Sequence, residues 1–500
     1  MPSKIRLSQT LLMTFALLAG TTVQAAYPGS SPVLLQAGDA AVRADLEWLA
    51  NRGVLDISTS TWPLPASIVV EAVARRNIRL ASPQDYATLE RVVRAVEAAM
   101  QNSWGAELDV NTSKLRATGF ENTPLAREAA SVYGQGSNDV AAAHLEVRGL
   151  NSPLTDRQSR TDLQGSYAAL NVAGQILYVG QLDHWWGPGW SDSLIWSNHA
   201  TAIAGFGLRN GSDAPFQTRW LSWIGPWGYE LFLGQIQHDE VIAHPQITGM
   251  RVYARPLRGL ELGASRMIMW GGAGRANDAH GFWKAVSGNS NTATAQDDPS
   301  DELAGFDLRY TLPFIGGNPV TLYGQAIGED EAGHLPSKYM VLAGIGMAQS
   351  LGSHRLQWHL EATDSETDRF FGRKAGQSGL AYNHWTYRDG YYQDQLPIGS
   401  WMGGDGKSVS ANLTWTPTEW RYQQQYTFRY LHAQVNPGDQ AINQAFPRAD
   451  TLNGLIGGVN WMVPRTHIQA NVGASVIRKQ SNGATQFGGL LQLRIPLDKY

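Results

Sequence analysis

The spacing of hydrophobic positions changes once along the chain, near residue 102. Before that point, DAAVRADLEWLANRG carries apolar residues three or four positions apart and ends at Gly53, a pattern typical of an amphipathic helix. A second short helix is expected after Pro65. A third is predicted after Ser82, because the run SPQD provides an N-cap, a proline at the first helical position and an acid at the third. The early residues therefore predict a small helical bundle.

After residue 102 the hydrophobic period becomes two. In AGFDLRYTL the apolar residues alternate with Gly305, Asp307, Arg309 and Thr311, and RLQWHLEAT, SVSANLTW and HIQANVGASV repeat the pattern. Such alternation is typical of β-strands. In a soluble sandwich the apolar phase would face a core, whereas in a membrane barrel it would face lipid and the polar phase would line the lumen. Alternation alone does not distinguish the two folds.

The lengths of the connections between strands favour the barrel. Bacterial outer-membrane barrels combine short periplasmic turns with long outer loops, and a sandwich has no reason to keep that order. Long connections are expected at about 478–485, 433–450, 364–406, 328–338 and 270–302, and short ones near 462–466, 416–420, 350–353 and 313–318. Residues 102–500 therefore predict an all-β transmembrane barrel of about eighteen antiparallel strands.

The amino terminus predicts export. Lys4 and Arg6 precede the apolar run LLMTFALL, and the residues VQA at 23–25 fit the site that a signal peptidase reads. Residues 1–25 are therefore interpreted as a signal peptide, and residues 26–101 as a helical bundle at the periplasmic end of the barrel. The apolar run is too short to span a membrane as a helix.

Composition narrows the class of protein. The chain has no cysteine, which excludes disulfides and thiolate metal sites. Its 43 acidic and 39 basic residues argue against a nucleic-acid partner. Charged residues make up 16% of the chain, below the roughly 25% of an average soluble domain, and there are 53 glycines. This balance suits an all-β chain with many turns and an apolar outer surface.

One predicted outer loop is rich in aromatic residues. The stretch DHWWGPGW follows the strand-like ILYVGQL, and Pro188 with Gly189 predicts a β-turn that holds three tryptophans on a stiff corner. The loop is expected to run from about 184 to 216, towards the cell exterior. Flat rings and hydrogen-bonding groups suit sugars, and the candidates here are Trp185, Trp186, Trp190, Asp192, Trp196 and Asn198. Alternatively, the same rings plug the loop into the barrel mouth.

The longest predicted loop is a second candidate, because it interleaves basic and aromatic residues as an acidic glycan would require. The candidates are Arg369, Arg373, Lys374, Tyr382, Asn383, His384, Tyr387, Arg388 and Tyr391, with Trp385 and Tyr392 in the same stretch. Alternatively, the arginines pair with Asp364, Asp368 and Asp389 and lock a plug in the lumen. If neither loop binds, the connection at about 270–302 is the next candidate.

Signals of catalysis are weak. The sequence has no HExxH and no G-x-S-x-G motif, and its twelve histidines are scattered. We therefore expect no catalytic residue, no metal site and no cofactor. Two other functions stay open. Eighteen strands can enclose a diffusion channel, and a hydrolase needs only two carboxylates across one cleft, which a sequence does not reveal.

Three long stretches resemble a known family. DLEWLANRGVLDISTSTWPLP, DHWWGPGWSDSLIWSNHA and AYNHWTYRDGYYQDQLPIG look like segments of the Wzi-type capsule assembly proteins, in the same order over most of the mature chain. The resemblance implies an outer-membrane lectin barrel that retains capsular polysaccharide or exopolysaccharide at the cell surface. The polysaccharide and outer-membrane lipid are then the expected partners, and a monomer is the expected state.

Overall fold

The computed structural model describes residues 30–77, 82–113, 117–122, 124–154, 160–237, 241–287, 300–315, 318–332, 335–367, 378–417, 424–439, 442–463 and 465–499. The predicted signal peptide lies outside these ranges. Within them, eighteen antiparallel strands form a closed barrel in which each strand pairs with its neighbours in sequence and the last pairs with the first. The strands are β1 Ser103–Asn111, β2 Ala126–Ser137, β3 Ala141–Pro153, β4 Tyr167–Val172, β5 Gln175–Gln181, β6 Ala204–Asn210, β7 Trp227–Gln235, β8 Gln246–Leu257, β9 Leu260–Trp270, β10 Ser300–Ile315, β11 Asn318–Ala332, β12 Leu335–Leu351, β13 His354–Asp364, β14 Lys407–Pro417, β15 Gln425–Val435, β16 Asp450–Met462, β17 Gln469–Lys479 and β18 Thr485–Pro496.

The strands point their apolar residues outward. In β10, Phe306 and Leu308 expose 55% and 43% of their surfaces, whereas the intervening Asp307 and the following Arg309 expose only 6% and 7%. A soluble sandwich would show the opposite, because its apolar phase would form the core. The exposed apolar face and the buried polar face are those of a membrane barrel. The predicted fold class is therefore confirmed.

The two ends of the barrel differ in their connections. Connections of two or three residues at 138–140, 173–174, 258–259 and 352–353 define a short-turn end, which is the periplasmic end in outer-membrane barrels. The opposite, long-loop end carries 182–203, 271–299, 365–406 and 436–449.

Three predicted connections are wrong. The predicted long connection 478–485 is a turn at 480–484, between β17 and β18. The predicted long connection 328–338 is mostly strand, since β11 and β12 continue to pair as far as Ala332 and Leu335. The predicted loop 184–216 is interrupted by β6, so that residues 211–226 cross at the short-turn end. The stretch AGFGLRN hides its alternation because Gly207 takes an inward position. A Cβ there would lie 2.0 Å from the Tyr178 ring, so the position has no room for a side chain.

Helices precede the barrel, as predicted. The described residues contain α1 Ala40–Asn51, α2 Ala66–Ala74, α3 Pro83–Met100 and, in a long loop, α4 Ala279–Val286. The predicted capping box begins α3, because the Ser82 and Asp85 side chains each accept a hydrogen bond from the other residue's backbone N–H. None of these described helices combines the length and apolar character needed to span a membrane.

Residues 30–77 and 82–101, called the N-terminal plug below, occupy the short-turn end and reach into the lumen. Gln84 donates a hydrogen bond to the Gly352 carbonyl in a short turn, at 2.5 Å. Deeper in the barrel, the inward Arg355 of β13 donates to Asp45 of α1 at 2.5 Å. The plug is therefore bonded to the inner wall as well as to the rim.

Candidate functional site

The aromatic corner at 183–190 packs inside the barrel. Trp185, Trp186, Trp190 and Trp196 are all buried, and Trp185 pairs with Trp62 of the N-terminal plug. Each indole can bury 150–250 Å2 of largely apolar surface. Here Phe120 packs edge-on against Trp185 and Trp190, and Trp196 packs against Trp186 and against Phe232 of β7. The predicted outward placement of these four rings is therefore wrong, and the packing alternative describes them.

One buried arginine joins the corner to α1. The Arg43 guanidinium contacts two rings, at 4.4 Å from the ring centre of Phe120 and 4.5 Å from that of Trp190. It also donates to the Pro188 carbonyl at 3.0 Å and pairs with Glu47 at 3.2 Å. Burial alone would raise the pKa of Glu47, but the adjacent Arg43 charge holds that pKa well below its usual range. The Trp190 Nε1–H donates to the same Glu47 carboxylate at 2.9 Å.

The polar members of the corner bond to other parts of the protein. The buried Asp192 carboxylate accepts from the Ser400 hydroxyl at 2.6 Å and from the Trp401 N–H at 3.2 Å. Asn198 donates to the Phe120 carbonyl at 2.9 Å. Asp192, which was predicted to face a glycan, instead ties loop 182–203 to loop 365–406. The outward placement predicted for Asp192 is wrong, because a buried carboxylate needs its hydrogen bonds within the protein.

Loop 365–406 uses its tyrosines in the same way. Tyr382, Tyr387 and Tyr391 are buried, so their predicted outward placement is also wrong. Their hydroxyls donate to backbone carbonyls of the neighbouring loops, at 2.6 Å to Leu194, 3.1 Å to Gly271 and 2.9 Å to Ile195. A buried phenol needs such an acceptor, which explains why rings that alternate with basic residues turn inward. The candidates Arg369, Arg373 and Lys374 lie outside the described residues.

Other candidates reach the surface. Arg388 is exposed, and Asn383 and His384 are half-buried. Trp385, which follows His384 in sequence, exposes 48% of its surface. Trp283 exposes 65% and lies on α4, which is anchored by the packing of Phe282 against Trp270 at 5.6 Å between ring centres. The sequence marked this helix only by its Asp278 N-cap and its placement in a long loop.

These exposed side chains belong to loops that meet. Arg275, ahead of α4, lies 5.4 Å from the ring centre of Tyr387. Asp389 accepts from the Val241 N–H at 2.7 Å, and its own carbonyl accepts from Gln444 at 2.9 Å. The long-loop end therefore presents an aromatic and basic set that we call the outer surface. Its members are Trp283, Trp385, His280, Lys284 and Arg388.

A cavity of about 620 Å3 separates the N-terminal plug from one inner wall, formed by β14–β18 and β1–β3. It follows the wall from Gln101, near the bundle, to Gly488, at the long-loop end. The wall is lined by amides and hydroxyls, by three arginines, and by the carboxylates of Glu107 and Glu146. These residues include Asn412, Thr427, Asn460, Asn471, Gln492, Arg148, Arg429 and Arg494. Such a lining can hold water and hydrogen-bond hydroxyl-rich solutes. Among the described residues, no group of three or more His, Asp or Glu is placed to hold a metal ion.

The comparisons with known proteins agree with this architecture. Residues 106–482 match the family model of the capsule assembly protein Wzi. A relative from Klebsiella pneumoniae, known as an uncharacterized 55.8 kDa protein in the cps region, is 34% identical over 445 residues, which cover 89% of this chain and 85% of that protein.

A solved structure is similar over nearly its whole length. Wzi from Escherichia coli, described as an outer membrane protein involved in group 1 capsule assembly and a carbohydrate-binding β-barrel, is 32% identical, with a TM-score of 0.84. The match covers 93% of this chain and 99% of that one. The apolar outer face and this likeness make the present protein an outer-membrane barrel. It belongs to the Wzi family of capsule assembly proteins.

Proposed function

We propose that the protein acts as a non-enzymatic lectin that retains capsular polysaccharide or exopolysaccharide at the cell surface, and that the polymer is held at the outer surface. The Escherichia coli relative is described as a carbohydrate-binding barrel. We further propose that outer-membrane lipid covers the exposed apolar band and that the barrel works as a monomer.

The observation that carries the proposal is the exposure of Trp283 and Trp385 at the long-loop end, where the four tryptophans of loop 182–203 and the three tyrosines of loop 365–406 described above are buried. Pyranose rings stack their C–H faces on an indole, while Lys284 and Arg388 offer charge-assisted hydrogen bonds to acidic sugars. Asn383 and His384, half-buried beside Trp385, add polar contacts.

Each contact on this surface is weak. A stacked ring contributes on the order of 0.5–1.5 kcal/mol beyond its buried area. Retention of a polymer therefore depends on many sugar repeats that engage many copies of the barrel, which converts low affinity per site into high avidity. A single substitution is expected to reduce retention in part, and a double substitution to reduce it further.

The test compares Trp283→Ala, Trp385→Ala and the double variant in cells that make the polysaccharide. Cell-associated and released polysaccharide are measured, and heat-modifiable migration on gels checks barrel assembly. Tyr86→Ala is the matched control, because Tyr86 is an exposed ring on α3 at the short-turn end. We expect the double variant to release more polysaccharide than the wild type, and the Tyr86→Ala control to release the same amount as the wild type. Unchanged retention in a correctly assembled double variant would reject the outer surface as the binding site.

The lumen cavity favours a second candidate function, diffusion of small polar solutes. Its polar lining extends along the inner wall, but the N-terminal plug and loop 182–203 fill the lumen beside it. Conductance measured across planar bilayers distinguishes the two functions. A diffusion channel should pass a steady current through an open path, whereas a lectin needs no such path.

A further inference from the structure

The connection 211–226, between β6 and β7, carries an exposed apolar cluster at the short-turn end. Trp220 and Trp223 expose 85% and 70% of their surfaces, and Leu221 between them is also exposed. Residues Ser222–Ile224 form a short 3-10 helix, which contains Trp223 and directly follows Trp220 and Leu221. This cluster lies at the opposite end from the outer surface, so polysaccharide retention does not account for it.

A stacked set of rings links the connection to the lipid-facing wall. Phe216 stacks on Trp227 with ring centres 4.5 Å apart, and Trp227 stacks on Tyr229 at 6.0 Å. Trp227 and Tyr229 share the outward phase of β7 with the exposed Leu231, whereas Glu230 points inward and is fully buried. The connection therefore crosses the rim and lies against the outside of the barrel, at the periplasmic edge of its apolar band.

Both ends of the connection are fixed. At its start, the buried Asp213 carboxylate pairs with Arg255 at 2.6 Å and with Arg75 of the plug at 3.2 Å. At its end, the Arg255 N–H donates to the Pro226 carbonyl at 2.7 Å. Gly225 has a φ of 70°, and a Cβ there would lie 2.1 Å from the Arg255 carbonyl oxygen. These contacts hold the turn in place against the rim.

The composition of the segment fits a membrane interface. From Ala214 to Trp227 the only charged residue is Arg219, directly before Trp220. Tryptophan concentrates at the level of lipid headgroups, and barrels carry aromatic girdles at both interfaces. Arginine forms charge-assisted hydrogen bonds with phosphate. We propose that residues 214–227 form an interfacial anchor, in which Trp220, Leu221 and Trp223 enter the periplasmic leaflet of the outer membrane and Arg219 binds a phospholipid phosphate.

The absence of cysteine allows a direct test in the intact protein. Single-cysteine variants Trp223→Cys and Leu221→Cys are labelled with bimane and reconstituted in bilayers of phosphatidylcholine and phosphatidylglycerol. Quenching by dibrominated phosphatidylcholine reports lipid contact, and quenching by iodide reports water. Val252→Cys, at an exposed outward position of β8, is the lipid control, and Tyr86→Cys on α3 is the water control.

We expect lipid quenching at positions 221 and 223 to be several-fold stronger than at 86 and close to that at 252. Iodide quenching like that at 86 would overturn the proposal, as would protection from both quenchers, which would mean that the turn packs on protein. A label that is open to iodide in pure bilayers but shielded in isolated outer membranes would assign the cluster to a protein partner, and would also overturn it. Heat-modifiability confirms assembly of each labelled variant.

Discussion

Replacing Glu47 by Leu should weaken the docking of α1 in the N-terminal plug without destroying the barrel. Glu47 is buried, pairs with Arg43 at 3.2 Å and accepts from Trp190 at 2.9 Å. Its loss leaves the buried Arg43 charge without this carboxylate and the Trp190 Nε1–H without its acceptor. The 103–500 strands keep their own ladder hydrogen bonds, so the damage should concentrate in α1 and the corner.

The free-energy cost of this substitution follows from the burial of both Glu47 and Arg43. Removing one member of a buried ion pair costs about 3–5 kcal/mol, and the orphaned indole donor adds part of a further 1–3 kcal/mol. We take about 4 kcal/mol, because neighbouring effects do not add fully. Since every 1.4 kcal/mol is tenfold, the undocked population should rise roughly a thousandfold.

The double variant Arg43→Met/Glu47→Leu is the internal control. It removes both charges and places an apolar chain against the Phe120 and Trp190 rings, but it leaves the Trp190 Nε1–H without its acceptor and the Pro188 carbonyl without the Arg43 donor. Replacing a buried pair by apolar residues is often neutral or stabilising. The double variant should therefore recover most of the loss and retain a cost of about 1–3 kcal/mol.

Hydrogen exchange of the α1 amides, measured by mass spectrometry in lipid bilayers, is the assay. Protection of α1 should fall in Glu47→Leu while protection of the barrel strands stays at the wild-type level. The reasoning would be refuted if α1 kept its protection in the single variant, or if the double variant lost as much protection as the single one.

Two further outcomes are expected. Burial raises the pKa of the Asp45 carboxyl, but Arg91 and Arg355 hold it below its usual value; docking of α1 should therefore stay constant from pH 8 to about pH 5 and weaken as pH falls below about 4. Hydrogen exchange of the α1 amides, measured at several pH values, tests this prediction. Weaker docking of α1 at alkaline pH would contradict it. In planar bilayers the intact protein should conduct far less than an open eighteen-strand porin, and steady currents of porin size would favour the channel function instead.

The barrel could be predicted because its signal is local. Strands such as RLQWHLEAT alternate along their whole length, and the structure places Leu360 outward while His359 and Glu361 point inward. β6 was not predicted because it has only seven residues, two of which are glycines. The rings that fill the space beside these glycines lie on neighbouring strands, so the local sequence does not show them.

The orientation of the loop rings could not be predicted, since it depends on partners far away in sequence. Trp185 is buried because Trp62 lies opposite it, 123 positions earlier, and Tyr391 is buried because the Ile195 carbonyl accepts its hydroxyl. Aromatic content marks a loop as important without telling whether a ring faces the lumen or water. Trp283 and Trp385 differ from these rings only in what surrounds them.

The buried and exposed aromatics are connected through the loops. Glu47 holds Trp190 of loop 182–203; the carbonyls of Leu194 and Ile195, in that same loop, accept the hydroxyls of Tyr382 and Tyr391. Trp385 stands between those two tyrosines in sequence. A binding surface held rigidly by its support loses less entropy when it orders a flexible polymer. We therefore expect Glu47→Leu to release polysaccharide although residue 47 is buried inside the barrel, and Arg43→Met/Glu47→Leu to retain more of it. Equal retention in the two variants would show that the plug does not support the outer surface.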